Sequence, residues 1–395
     1  MSDGISQRLY YTDAYRTEFE SRVLERAGDG RRVYLEQTAF YPTSGGQPND
    51  VGTLGGIAVT DVVDEGDRIA HVLVSPLGAE DRVAGRVDWT RRFDHMQQHT
   101  GQHLVSAVLE ELYGHRTISV HFGADYSTLD LDAESVTREA LVRAEDRANR
   151  IVLENRPVSV TFEDAAAAAG LRKPSDREGT LRVVSIEGVD RSACGGTHVR
   201  TTGEIGPVLL RRCEKIRKAT RVEFVCGMRA LRRARADYEA LSRIAASLSA
   251  SLDDAAGLVA AQAEQLREAE NVRRRMEREL AGFRAKSLYD ATLPDAAGRR
   301  IAIVRDAGSM EALRSMAQAY CTMPGAILLG AVADPPAVLF GAAEDTGIDA
   351  GRTLREIVGR FGGRGGGSPR VAQGSAAAEA IEPMLADLRT RASVS

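Results

Sequence analysis

Two short stretches far apart in the chain, His99-Thr100-Gly101-Gln102-His103 and Cys194-Gly195-Gly196-Thr197-His198, carry the residue types that hold a transition metal. Histidines four apart fall on one face of a helix, and Cys-x-x-x-His can do the same on a turn, so three or four zinc-type donors can converge. Gly195 and Gly196 let the backbone bend tightly, so that a soft thiolate and an imidazole aim at one ion. Each half alone has an ordinary reading, since helical His pairs are common and a lone buried Cys is usually a small hydrophobe. Together they read as one split zinc site, because three of seven histidines and one of four cysteines fall into two matched spacings. His95, one turn before His99, reads as a supporting partner, a proton shuttle or a solvated helix start, and Gln98 as a second supporting group. His71 and His115 read as structural or exposed.

The elements that position these residues follow from periodicity. Residues 1–90 alternate or run apolar between Gly and Asp turns, as in Glu18–Leu24, Arg32–Leu35, Ile57–Val59, Ile69–Leu73 and Val83–Val87, which predicts a small β-barrel. Leu9-Tyr10-Tyr11 reads as a further strand. Between strands, Thr43-Ser44-Gly45-Gly46-Gln47 is too rich in glycine and polar side chains for a core strand and suits a backbone that approaches a ligand. Residues 91–228 alternate helix and strand: a histidine helix, a strand pair over Thr117–Leu131, a helix over Arg138–Asn155, then strands at Val158–Phe162 and Leu181–Ile186. This predicts an α+β metal-binding domain. Over 229–288 apolar residues recur every three or four positions amid Arg, Glu and Gln, which predicts a long coiled-coil-like helix or helical hairpin that serves as a spacer or a homodimer contact. Residues 289–395 read as an α/β domain with a Gly-rich loop, Gly362-Gly363-Arg364-Gly365-Gly366-Gly367-Ser368-Pro369-Arg370, which suits a phosphate backbone or a linker. The fold class is α+β overall.

With 395 residues the chain exceeds one ordinary core, and 43% hydrophobic residues suffice for several. A net charge of −4 excludes a generally basic nucleic-acid coat. It conceals a local basic strip, Arg211-Arg212, Lys215, Arg217-Lys218 and Arg221, which suggests a phosphate-bearing substrate, with solubility as the alternative reason. Cys213, Cys226 and Cys321 lack ligand spacing and read as reduced thiols. Met1-Ser2-Asp3-Gly4 opens without a targeting pattern, and no apolar run reaches membrane-spanning length, so a cytoplasmic protein with no membrane partner is expected.

In order along the chain, Phe40–Pro48, His99–His103, Cys194–Val199 with Thr202–Gly206, and the late Gly-rich loop resemble the editing half of alanyl-tRNA synthetase. The whole chain is similar to the free-standing AlaX proteins in their long form, with a DHH-associated C-terminal domain. The resemblance implies a trans-editing ester hydrolase acting on mischarged tRNA for alanine, chiefly seryl-tRNA and in some cases glycyl-tRNA. It implies zinc on His99, His103, Cys194 and His198. It also implies an aminoacyl pocket lined by Thr43, Ser44, Gly45, Gly46, Gln47, Thr100, Gln102, Gly195, Gly196 and Thr197, and tRNA contacts from Gly362–Gly367, Arg364 and Arg370, to which the basic strip adds Arg217 and Lys218. Two departures stand out: Gln102 takes a position that is often Thr, and Ser119–Gly123 replaces a Gln-x-Gly-Ser stretch, which makes His121 a candidate pocket residue.

The implied chemistry is economical, since an aminoacyl ester is activated and needs a positioned water and oxyanion stabilisation. A pocket that hydrogen-bonds the serine hydroxyl leaves its own groups unpaired when alanine enters, which discriminates far better than a methyl misfit. Two rival readings remain: a non-catalytic tRNA-binding zinc protein, and a deacylase for another tRNA, since the editing domain of threonyl-tRNA synthetase has a similar ligand arrangement.

Overall fold

The computed structural model describes residues 5–174, 178–306 and 309–394; the Met1–Gly4 stretch read above lies outside them. The helix predicted around the histidines runs Trp89–Tyr113. It starts where the Asp88 side chain accepts from the Arg91 N–H and stops at Gly114, whose φ of 69° no β-branched residue would adopt at low cost. From His95 through Leu109 every residue is buried. Its polar side chains must therefore find partners inside the protein. Gln98 donates to the Cys226 carbonyl (3.0 Å) and accepts from the Cys226 N–H (2.9 Å), Gln97 donates to the Glu204 carbonyl, and Gln102 donates to Ser106 Oγ. Gly101 is required by the close approach of Cys226, whose sulfur fills the space a Cβ would take.

Upstream, six strands close into a barrel in the order Glu18–Ala27, Arg32–Leu35, Ile69–Leu73, Ile57–Asp64, Gly52–Leu54, Arg82–Val87. Val33, Leu35, Phe40, Leu54, Val62 and Ile69 fill its interior. Leu9–Tyr11, predicted as a strand, is a 3₁₀ turn. Its two tyrosine rings make edge contacts with each other, and Tyr10 also packs against Tyr41. The barrel is tied to the histidine helix by Arg92, which forms a fully buried ion pair with Asp50 and donates to the Ala14 (2.6 Å) and Ala39 (2.5 Å) carbonyls. Asp50 also accepts from the Tyr41 N–H (2.6 Å). Removing either partner would strand a charge away from water, at a cost of about 3–5 kcal/mol.

Downstream, the helix Arg138–Glu154 and the sheet Val208–Ile216, Ala219–Cys226, Ser127–Leu131, Thr117–Phe122 enclose a core with Val105, Leu109, Leu129, Ile151 and Phe224. A three-stranded sheet, Val158–Asp164, Thr180–Ile186, Asp190–Ala193, delivers the chain to Cys194. The chain divides into two compact units, Met1–Arg243 and Ile244–Ser395, so the barrel and the metal-binding region share one unit. Of the two readings of 229–288, one long helix or a helical hairpin, the single helix is not formed: two helices, Gly227–Ser247 and Leu252–Ala291, run through it. Ser249 takes a left-handed φ of 51°, and Ser251 caps the second helix by accepting from the Asp254 N–H.

In the second unit five strands lie in the order Arg300–Asp306, Ala326–Ala333, Pro336–Ala342, Val371–Ser375, Arg364–Gly367; the first pair is parallel and the others antiparallel. Ala326–Ala333 is apolar throughout because both its faces are covered. Ile327 and Leu329 face Leu354, Ile357 and Leu388, whereas Leu328 and Val332 face Leu313, Met316 and Tyr320. The Gly-rich stretch, predicted as a loop, forms the edge strand of this sheet. Its glycines have a packing reason: a Cβ on Gly365 would lie 2.7 Å from Gly374 Cα.

Candidate metal centre

His99 and His103 leave the helix side by side, and the Ala193–His198 segment crosses them so that His99, His103, Cys194 and His198 place one donor atom each within 4.8 Å of all the others. Cys194 Sγ lies 3.4 Å from Nε2 of both His99 and His198. With Zn–S of ~2.3 Å and Zn–N of ~2.0 Å, the S···N edge of a tetrahedral site is about 3.5 Å, which these two distances match.

The far side of each ring explains why the donors face inward. His99 Nδ1 is held by Gln47 Oε1 at 2.7 Å, His103 Nδ1 by Asp190 Oδ2 at 2.8 Å, and His198 Nδ1 by Thr100 Oγ1 at 3.1 Å. With every Nδ1 occupied, Nε2 is the atom left for a metal, and each ring is fixed in orientation. Gln47 is itself held, donating to Thr197 Oγ1 (2.8 Å) and accepting from the Thr197 N–H. Asp190 also accepts from Arg172 (2.6 Å) and from Ser192 Oγ. Gly196 is obligatory here, because a Cβ on it would occupy the His99 ring. Gly195 is not, its nearest neighbour being the Tyr11 hydroxyl at 3.7 Å.

Electrostatics favour a metal-ready thiolate. Burial opposes the Cys194 thiolate, but the His99 and His198 charges and hydrogen bonds from His103 and His198 outweigh it and hold this thiol well below its usual range. Burial also opposes charge on His103, yet the hydrogen bonds to Asp190 and Cys194 keep its pKa up at about 9. His198, with burial and then the nearby His99 acting against its charge, drops to about 3. One soft sulfur with three imidazoles is a donor set that suits zinc.

His99, Cys194, Gly195 and Gly196 form part of the wall of a cleft of about 770 Å³. Ser44 and Gly45 also line it. The remaining pocket candidates stand elsewhere. Thr43 is exposed and bonded to Asn49; Gly46 backs onto Phe122; Gln47, Thr100 and Thr197 orient the ligand rings; Gln102 turns to Ser106; His121 is exposed on its strand. His95 and Gln98, read as supports of the ligands, make no hydrogen bond to them among the described residues: Gln98 is committed to Cys226, and His95 Nδ1 has no partner there. Burial and then the Arg91 charge bring the His95 pKa down to about 4.

Several cleft residues were not among the pocket candidates read from the sequence. Tyr11, Tyr41 and Arg182 line it, and Arg182 donates to the Cys194 (2.6 Å) and Tyr11 (3.0 Å) carbonyls, fixing the ligand loop. Arg8 at the cleft is clamped on Asp64 and reaches the Tyr11 hydroxyl (3.2 Å). Of the candidate tRNA contacts, Arg217 and Lys218 form the exposed tip of a hairpin, and Arg217 has a left-handed φ of 52°. Arg364 is exposed on the edge strand, and Arg370 pairs with Glu344.

Residues 181–222, which include Cys194 and His198, match the family described as "Threonyl and Alanyl tRNA synthetase second additional domain". The alanyl-tRNA editing protein AlaX-L of Pyrococcus horikoshii is 31% identical over 393 residues, covering 95% of this chain and 96% of that one. The chain belongs to the alanyl-tRNA editing protein family. Another member, Aarsd1-A of Xenopus laevis, is 38% identical over 242 residues; this alignment takes in 56% of the chain and only 58% of that relative. The alanine–tRNA ligase of Korarchaeum cryptofilum is 34% identical over 97% of this chain and 45% of its own. Family membership thus extends across both units, whereas the matched domain falls within the first.

Proposed function

We propose that the protein deacylates mischarged tRNA for alanine in trans, removing serine and also glycine, with zinc held by His99, His103, Cys194 and His198. The observation that carries this reading is the convergence of the four donors at a cleft, in a chain of the alanyl-tRNA editing family. When bound, zinc supplies Lewis acidity for ester hydrolysis. The chain's own residues do the positioning. Gln47, Asp190 and Thr100 fix the three imidazoles, Arg182 fixes the Cys194 backbone, and the Ser44–Gly45 turn and Tyr11 bound the space an aminoacyl group enters. Ser44 is the pocket candidate among the hydroxyl side chains that reaches this space, and it is the group to recognise a serine hydroxyl. The exposed Arg217–Lys218 tip and Arg364 supply charge for the tRNA backbone. The four free cysteines suit a reducing compartment, the cytoplasm.

A second reading is favoured by the completeness of the donor set: four protein ligands satisfy a tetrahedral ion, as structural zinc sites do, which fits a non-catalytic tRNA-binding protein. Incubating the protein with seryl-, glycyl- and alanyl-tRNA for alanine, with and without a chelator, separates the two. Selective, chelator-sensitive loss of serine or glycine is expected; tight binding of all three without ester loss would overturn the enzymatic reading.

A further inference from the structure

Three arginines are buried among the described residues, and two of them have an acid beside them: Arg92 pairs with Asp50 and Arg229 with Asp94. The third, Arg182, is 9% exposed and has no carboxylate partner among the described residues. Its Nε and Nη1 are spent on the Tyr11 and Cys194 carbonyls, which leaves Nη2 without an acceptor. Unlike His95 Nδ1, that nitrogen is not sealed away from solvent. Arg182 stands in the wall between the cleft bordered by His99 and Cys194 and a smaller recess of about 180 Å³ bordered by His198, so a metal ligand borders the space on either side of it. A buried cation without a counter-charge is costly, and an anion that enters to meet it offsets that cost.

The surroundings narrow down the anion. Asp64 is the carboxylate in the cleft lining, and Arg8 engages both its oxygens (2.6 and 2.8 Å), so it does not repel an anion as a free acid would. Phe162 lines the same cleft and lies directly opposite Arg182 in the antiparallel pair of Val158–Asp164 with Thr180–Ile186, which puts ring and guanidinium on one face of the sheet. The Phe162 ring is 51% exposed and has no aromatic partner among the described residues. A single exposed phenylalanine needs no explanation, but here it adjoins an unpaired buried cation at the metal cleft. A flat apolar face beside a free guanidinium nitrogen fits one nucleotide, its base on the ring and its phosphate on the arginine. One hydrogen bond of 2.6 Å joins the guanidinium to the Cys194 backbone, and in a 3′-aminoacylated nucleotide the 5′-phosphate and the ester hang on one ribose. A phosphate held by Arg182 therefore presents the ester beside the ligand set.

We infer that Arg182 and Phe162 form the subsite for the terminal nucleotide of the substrate, with the 5′-phosphate on Arg182 Nη2 and the base against Phe162; this rests on the deacylase reading above. The probes are two hydrolysis-resistant amides, 3′-serylamino-3′-deoxyadenosine with and without a 5′-phosphate, titrated by calorimetry into the zinc-loaded full chain. The phosphate should tighten binding about 10- to 100-fold, as a hydrogen bond between charged groups does. Arg182→Gln should shrink that ratio to about threefold or less, and Arg182→Lys, which keeps the charge, should restore part of it. A role confined to holding the Cys194 loop would lower both affinities and leave the ratio as it was. Phe162→Ala should weaken both analogues alike, by about tenfold, with the ratio retained. Equal affinity for the two analogues, a ratio unmoved by Arg182→Gln, or no saturable binding of either at concentrations on the order of millimolar would overturn the subsite. If Arg182→Gln fails to fold or loses zinc, the wild-type ratio and Phe162→Ala decide, and affinities unmoved by Phe162→Ala would count against the subsite as proposed. Phosphate preference without ester loss from seryl-tRNA would sink the enzymatic reading and keep the subsite, whereas ester loss without phosphate preference would do the reverse.

Discussion

The Ala193–His198 loop and the Gly362–Gly367 stretch both combine clustered glycines with residues suited to binding, yet the fold uses their glycines differently. In the first, Gly196 makes room for the His99 ring, and so for the donor geometry itself. In the second, Gly363, Gly365 and Gly367 make room for the neighbouring strand and helix, and what they secure is an edge of a sheet. Glycine density therefore marks close approach, and only what approaches decides whether the site is chemical.

The sharpest way to break this contrast is to substitute in both places. Cys194→Ser and Gly196→Ala should each abolish stoichiometric zinc, measured by metal analysis of purified protein, whereas Gly195→Ala, with open space around it, should retain the metal. Equal loss in the two glycine variants would mean that the loop tolerates no side chain for reasons other than the His99 ring. Next in size, Asp190→Asn keeps the hydrogen-bonding shape but removes the charge behind His103; zinc affinity by competition with a chromophoric chelator should fall about 10- to 100-fold. An unchanged affinity would reduce Asp190 to a partner of Arg172.

In the second region, Gly365→Ala should lower the stability of the Ile244–Ser395 unit by about 1–3 kcal/mol through overpacking, read by denaturant unfolding, with zinc content unchanged. A change in tRNA affinity with full stability would restore the loop to a binding role. The smallest effect belongs to the exposed hairpin tip: Lys218→Ala should weaken tRNA binding a few-fold and reduce the salt dependence of binding by about one unit of slope. No change in slope would remove that tip from the tRNA surface.

The donor set was legible because its spacing is local within each half: His99 and His103 sit four apart on a helix, and Cys194 and His198 four apart on a turn. The barrel, the strand pair at Thr117–Leu131 and the helix starting at Arg138 were legible for the same reason, from alternation and turn residues. What holds the ligands was not. Asp190 and Thr100 reach the rings of His103 and His198 from positions 87 and 98 residues away, and such pairing leaves no local pattern. Gln47 stood out for its glycine-rich surroundings, but its role is to orient His99 rather than to line the cleft. Arg92, Asp50, Arg182 and Tyr11 carried no periodic signal, because a charge or ring buried between elements looks like a surface residue until the elements meet. The break between the two helices after Ser247 was readable, since Ser251-Leu252-Asp253-Asp254 has the form of a helix start.

Four side chains holding one ion are what the site requires, and X-ray absorption spectroscopy of the purified protein tests this directly. One sulfur at about 2.3 Å and three nitrogens at about 2.0 Å around a stoichiometric zinc are expected. Absence of the metal, or a shell of oxygen donors without sulfur, would contradict it.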